Sequence, residues 1–268
     1  MKPSYLKYYD KISSLAPFAF LRDALFARSK VRKLSLANRQ RDYARLQSDP
    51  RLLALHRQLN RTLLAANEQW SSYDYGEGYF YQGFDEIGVT GLRNTRERLA
   101  QMQLHERLRG LSVLEIGCNA GFLSLSIARV ARQVVAFDLN PHLVDIGIAA
   151  ARHLGLGNVD FRVGAFEELA FDTPFDAVLS FANHSTYDGN THQDIAHFFT
   201  RCHELTRPGG LFLFESHPPA YEGAGLDKVL EVLSGLFTVE ERRVLAYGSF
   251  LDTGRTFVVA RRPGGRAP

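Results

Sequence analysis

Cysteine is scarce: Cys118 and Cys202 stand 84 positions apart with no CxxC pair anywhere. That excludes a disulfide framework and a thiolate metal site, and makes a reducing cytoplasm the expected compartment. A clean targeting segment is lacking too. The nearest approach, ISSLAPFAFL at 12–21, has ten uncharged residues but contains Pro17 and runs into Arg22-Asp23. It makes a poor signal peptide and is too short to cross a bilayer. Internal repeats and low-complexity tracts are also missing. What remains is an ordinary globular composition, 45% apolar and 23% charged over 268 residues, enough for one large domain with or without an appendage.

Net charge is only +3, yet eleven of the 32 Lys and Arg fall between positions 22 and 61, against three acids there. Within that basic half, Phe18, Leu21 and Leu25 recur at helical spacing through 17–34, the pattern of a basic amphipathic helix. Asp49-Pro50 reads as a helix cap followed by proline at the first helical position, with Leu52, Leu55, Leu59 and Leu63 on one face. Then WSSYDYGEGYFYQGF, 70–84, mixes aromatics with glycine; it reads either as a ligand-covering loop or as an irregular plug in the core.

After Gly110 apolar strands alternate with helices: VLEIG, VVAFDL, VDFRV, FDAVLSF and GLFLFES interleave with FLSLSIARVA, PHLVDIGIAAARHLG and THQDIAHFFTRCHELTR. This is the sign of parallel strands with crossover helices, a doubly wound α/β sheet. FTVEERRVLAYG and RTFVVARR have no helix between them and predict an antiparallel finish, ahead of a loose tail at 263–268.

In such a sheet the ligand lies beyond the carboxyl ends of the strands. VLEIGCNAGF, 113–122, occupies that place, but its glycines are Gly117 and Gly121, with Asn119 at the middle position of G-x-G-x-x-G and Phe122 at the last. A pyrophosphate needs bare backbone there, and no Gly-Lys-Ser/Thr closes a P-loop. The turn therefore predicts a nucleoside-like ligand without a pyrophosphate, a description that S-adenosylmethionine fits. Asp138, 21 residues past Gly117, closes the second strand where an acid accepts both ribose hydroxyls.

ExGxxxG, the acid after strand two and LTRPGG before strand five together resemble the class I S-adenosylmethionine-dependent methyltransferases, over roughly residues 90–262. The resemblance implies a mostly parallel, seven-stranded Rossmann-like sheet over 91–262, behind an N-terminal helical extension and aromatic segment at 1–90. It implies that Glu115, Gly117, Cys118, Asn119 and Gly121 surround the methionyl part and that Asp138 and Leu139 meet the ribose; the third strand, ending in VGAFEEL, sets Ala165 and Phe166 against the adenine, where the family usually has an acid. The segment Ser180–Ser185, including Phe181, would present the acceptor. GLRNTRERLAQMQL at 91–104 resembles a narrower set, the methyltransferases of bacterial surface-polysaccharide synthesis and the tRNA wobble-uridine carboxymethyl-transferring enzymes. That lead-in makes Arg93, with Tyr81 before it, the candidate partner of the cofactor carboxylate.

A hydroxyl acceptor needs a base. In SFANHSTYDGN, His184 has the titration range for it, with Tyr187 and Asp188 as orienting or acceptor-binding groups and Asn183 beside them. His217 ends strand five and is expected to face the same crevice. On the helix of 192–206 the apolar residues define a buried face that leaves His197 and His203 towards solvent. Asp188, Asn190 and His192 form no recognised metal spacing, so no metal is expected. The reading is an O-methyltransferase for a sugar, a glycan terminus or another polar small molecule, with the basic N-terminal helix either on an anionic membrane surface or packed on the domain as a solvated face. A tRNA-modifying methyltransferase and a cofactor-binding scaffold without activity stand as alternatives.

Overall fold

The computed structural model describes residue 34 and residues 37–69, 80–184, 193–217, 223–247 and 254–264. The expected amphipathic helix at 17–34 lies outside these almost entirely, as do residues 70–79 of the aromatic segment and the tail from 265.

The chain runs from α1 (Pro50–Gln69) through two short paired strands, β1 (Gln82–Gly83) and β2 (Arg93–Asn94), into α2 (Thr95–Met102) and α3 (Leu104–Arg107). The alternating part follows: β3 (Ser112–Ile116), α4 (Phe122–Ala128), β4 (Gln133–Asp138), α5 (Pro141–Leu154), β5 (Val159–Val163), β6 (Phe175–Phe181), α6 (Ile195–Leu205) and β7 (Thr206–Glu215). It closes with α7 (Ala224–Leu236), β8 (Thr238–Leu245) and β9 (Arg255–Arg261). One seven-stranded sheet results, in the order β5-β4-β3-β6-β7-β9-β8. Pairing is parallel from β5 to β7, and β9 is antiparallel to both its neighbours. The antiparallel finish agrees with the sequence, while the last strand lies inside, between β7 and β8.

Local chemistry sets these elements. The Asp49 carboxylate accepts from the Arg51 and Leu52 amides and starts α1, as the Asp-Pro pair predicts. Asn94 does the same for α2, and Asn140 with Pro141 for α5, which stops at Gly155 in the left-handed conformation. β3 and β6 are rich in apolar residues and buried along almost their whole length because both their faces are covered. One apolar layer packs α2, α3 and α4 against β3, β6, β7 and β9, and the other packs α6 and α7 on the opposite face. A third cluster joins Leu55, Leu59 and Leu63 of α1 to α4 and α5. Phe84 stacks on Phe122 at 5.5 Å and Phe80 tilts against it at 5.9 Å, so the described end of the aromatic segment plugs this core.

Candidate active site

Strand order reverses between β3 and β6, and the glycine turn lies just beyond the end of β3. Gly117 and Gly121 have φ of +66° and +72°, and Asn119 joins them at +59°, a left-handed position that Asn tolerates better than most residues. A Cβ on Gly121 would stand 2.4 Å from the Phe161 ring, so packing as well as φ requires the glycine. Each amide from 118 to 121 has an internal partner. Cys118 donates to the Phe137 carbonyl, Asn119 to Asp138 Oδ2 at 2.8 Å, Ala120 to the Asn119 side-chain oxygen at 2.7 Å, and Gly121 to the Cys118 carbonyl. A turn whose amides are spent in this way offers no cradle to a pyrophosphate.

Asp138 is buried and also accepts from the Asn140 amide, so two backbone groups hold its carboxylate at the end of β4 beside the turn. Glu115 is buried under the turn and accepts from Ser124 Oγ; burial pushes its carboxyl up to about 7. Leu139 is half-buried in the loop after β4.

Three of the residues expected at the cofactor have buried side chains. Phe166 is wholly buried, stacked on Phe137 at 5.8 Å with the Arg201 guanidinium 5.0 Å from its ring, so its side chain belongs to the core. Ala165 is buried too, and its carbonyl accepts from the amides of Glu168 and Leu169. The Cys118 side chain is a core group whose thiol burial drives well above its ordinary range. Ser180 is fully buried and donates to Asn183 Oδ1 at 2.7 Å, while Asn183 Nδ2 donates to the Ile116 carbonyl. This pair ties the ends of β3 and β6 together, with Ala182 in the left-handed region at φ +55° between them.

The two candidate histidines are drawn to different layers. The His184 ring lies edge-on to Phe198 of α6 at 4.9 Å, and its Nε2 is 3.2 Å from the Gln193 carbonyl. That bond puts the proton on Nε2 and the lone pair on Nδ1; burial lowers the affinity of the ring for a second proton. His217 belongs to the opposite layer, near Arg255 and Arg93, and burial with those charges lowers its pKa to about 4. The single shared crevice expected for them is therefore two neighbouring environments. Tyr187 and Asp188 lie outside the described residues, as do Asn190 and His192. His197 is exposed as expected, but His203 packs edge-on to Phe237 at 5.2 Å.

The lead-in carries more than its sequence suggests. Arg93 is buried, its amide bonded to the Tyr81 carbonyl and its guanidinium 5.1 Å from the Tyr81 ring. Arg98, one turn into α2, is buried as well and reaches Glu215 Oε2 at 2.5 Å, while Tyr247 donates to Glu215 Oε1 at 3.1 Å. Arg255 Nη1 stands 3.9 Å from the same Oε2. These guanidinium groups hold the wholly buried Glu215 below the usual carboxylate range. The sequence signal for this network is slight: one acid closing GLFLFE and one Arg opening RTFVVA. Among the described residues no group of His, Cys, Asp and Glu could hold a metal ion.

Comparison with known proteins bears on the domain and the fold. Residues 113–210 match the family described as a methyltransferase domain. A stretch of 121 residues is 36% identical to the ubiquinone biosynthesis O-methyltransferase of Xanthomonas euvesicatoria pv. vesicatoria, covering 43% of this chain and 47% of that protein. Another of 108 residues is 40% identical to the Rhizobium etli protein of the same name, covering 39% and 40%. The match thus spans less than half the length of these relatives. The fold is that of the N-methyltransferase NodS from Bradyrhizobium japonicum in complex with S-adenosyl-L-homocysteine, with a TM-score of 0.55 at 18% identity over 75% of this chain and 98% of that one. Residues 113–210 thus resemble a methyltransferase domain, set in a sheet whose fold NodS shares.

Proposed function

We propose that this protein transfers the methyl group of S-adenosylmethionine to a hydroxyl of a polar small molecule. The observation that carries the cofactor choice is the glycine turn, whose amides from 118 to 121 are all taken internally, beside a buried carboxylate at the end of β4. Such a turn suits the methionyl half of a nucleoside cofactor and rejects a dinucleotide. The O-methyltransferase names of the relatives support a hydroxyl as acceptor.

When bound, the cofactor supplies an electrophilic methyl on a sulfonium, and the protein has to align, desolvate and deprotonate. Asp138, oriented by the amides of Asn119 and Asn140, accepts the ribose hydroxyls. Arg93, buried against Tyr81, takes the cofactor carboxylate. His184, its Nε2–H engaged by Gln193, presents Nδ1 as the base for the acceptor hydroxyl. A sugar or glycan terminus is the acceptor class that the lead-in motif suggests.

Calorimetry with S-adenosylhomocysteine and NAD tests the cofactor reading. Binding of the first and not of the second is expected, with a ten- to hundredfold weaker affinity in Asp138→Asn, about the worth of a hydrogen bond to a charged group. Absence of S-adenosylhomocysteine binding by the wild type would overturn it.

A further inference from the structure

The loop ahead of the lead-in is held by side chains of the N-terminal layer, one backbone group after another. Residues 37–46 are helical, and Asn38, Asp42 and Arg45 recur at i, i+4 and i+7, so they project from one face. That face meets residues 88–91 in reverse order. Asn38 Nδ2 donates to the Gly91 carbonyl at 3.5 Å, Asp42 accepts from Thr90, and Arg45 Nη2 donates to the Gly88 carbonyl at 2.6 Å. His56 of α1 adds the Ile87 carbonyl, 2.6 Å from its Nε2.

Asp42 stands at the middle of this clasp. It is buried, with Oδ2 accepting from the Thr90 amide at 2.7 Å and Oδ1 from the Thr90 hydroxyl at 2.6 Å. Burying a carboxylate is costly unless hydrogen bonds compensate it, and bonds to a charged acceptor fix their donors more tightly than apolar contact does. On its other side the loop lies directly on β1, where a Cβ at Gly91 would stand 2.2 Å from the Gln82 backbone. The next two amides, of Leu92 and Arg93, donate to the carbonyls of Phe80 and Tyr81. Loop, β1 and β2 are thus tied together, with Arg93 three residues past Thr90.

We propose that Asp42 is a positioning residue for Arg93: through Thr90 it sets the place from which the guanidinium reaches the cofactor carboxylate. The inference rests on the role given to Arg93 in the proposed function. A carboxylate this far from the chemistry matters because a displacement of about 1 Å at a recognition group is enough to cost binding or rate. If Asp42 only steadied the helical layer, its loss would affect every part of the cofactor alike. As a positioning residue it acts on the amino-acid end alone.

Calorimetry below the unfolding temperature separates the two, with S-adenosylhomocysteine and with 5′-methylthioadenosine, which keeps the adenosine and lacks the amino-acid end. Asp42→Ala is expected to bind S-adenosylhomocysteine about tenfold more weakly and methylthioadenosine within about twofold of wild type. Arg93→Gln gives the same pattern, and the double variant binds S-adenosylhomocysteine within about twofold of Arg93→Gln, because both substitutions remove one interaction. Equal losses for the two ligands, unchanged S-adenosylhomocysteine affinity in Asp42→Ala, or losses that multiply in the double variant would overturn the proposal. If Asp42→Ala does not fold, Thr90→Val takes its place: it removes the hydroxyl donor and keeps the amide, and a loss of about threefold is expected, full affinity counting against the proposal. Should Arg93→Gln not fold, the contrast between the two ligands decides alone. Wild-type affinity in Arg93→Gln would remove Arg93 from the cofactor and the positioning role with it, while leaving the methyltransferase reading intact. Failure of wild type to bind S-adenosylhomocysteine would instead mark failure of that reading. Hydrogen exchange of the Arg93 amide, expected about tenfold faster in Asp42→Ala, then still decides whether Asp42 holds the lead-in, and unchanged exchange sinks it.

Discussion

Glu115 shows how one residue can be legible in position and opaque in state. Its place in ExGxxxG is plain, but burial lifts its carboxyl from 4.5 to about 7 against the opposing hydrogen bond from Ser124, which no linear spacing reveals. Between those values the folded protein holds a proton that the unfolded chain has released, so this group stabilises at low pH and the contribution fades as pH rises through 7. Glu115→Gln is expected to flatten that window by on the order of 3 kcal/mol, seen in urea melts at pH 5 and pH 8. Gly121 is opaque in another way: it reads as a ligand-facing glycine, and the structure adds that Phe161 fills the space a side chain would need. Gly121→Ala is expected to lose roughly 1–3 kcal/mol from the left-handed backbone alone. Replacing Phe161 with Leu in the same chain should recover part of any excess over that, read from the melting temperature.

Among the elements, α2 matters because it delivers Arg98 to Glu215. Its start depends on Asn94, whose side chain accepts from the amides of Arg96 and Glu97. Asn94→Ala is expected to cost about 1 kcal/mol through the lost cap. Arg98→Met is expected to cost more, about 3–5 kcal/mol, because it strips a wholly buried carboxylate of its closest cation. Chemical denaturation of the two variants side by side ranks them, and an equal loss would mean that Arg255 takes over from Arg98. The strands of the alternating part were readable because burial on both faces leaves apolar runs that few other structures produce. The edge strand β5 is half-exposed, and VDFRV shows it in its mixed composition.

Over the whole molecule, the described N-terminal residues 37–69 are integral to the core. Leu59 and Leu63 of α1 are completely buried in the cluster that also holds Phe84, Phe122 and Ile146, and Asp42 accepts from the amide and hydroxyl of Thr90 just before the lead-in. Leu59→Ala is thus expected to destabilise the protein by about 2–5 kcal/mol, in one cooperative transition measured by calorimetry; a separate early transition would make the helical layer independent. Sequence by itself determined the alternation of strands and helices, the place of the glycine turn after the first strand of that alternation, and a turn unsuited to pyrophosphate. These are local properties, set by burial periodicity, caps and backbone conformation within a few residues. Only the tertiary structure decided that β9 enters between β7 and β8, that Phe166 and Ser180 turn inward, and that Arg98, Glu215, Tyr247 and Arg255 meet. Those residues are far apart in the chain, each a single polar group beside an apolar run. Their common purpose exists only where the sheet brings their strand ends to one corner.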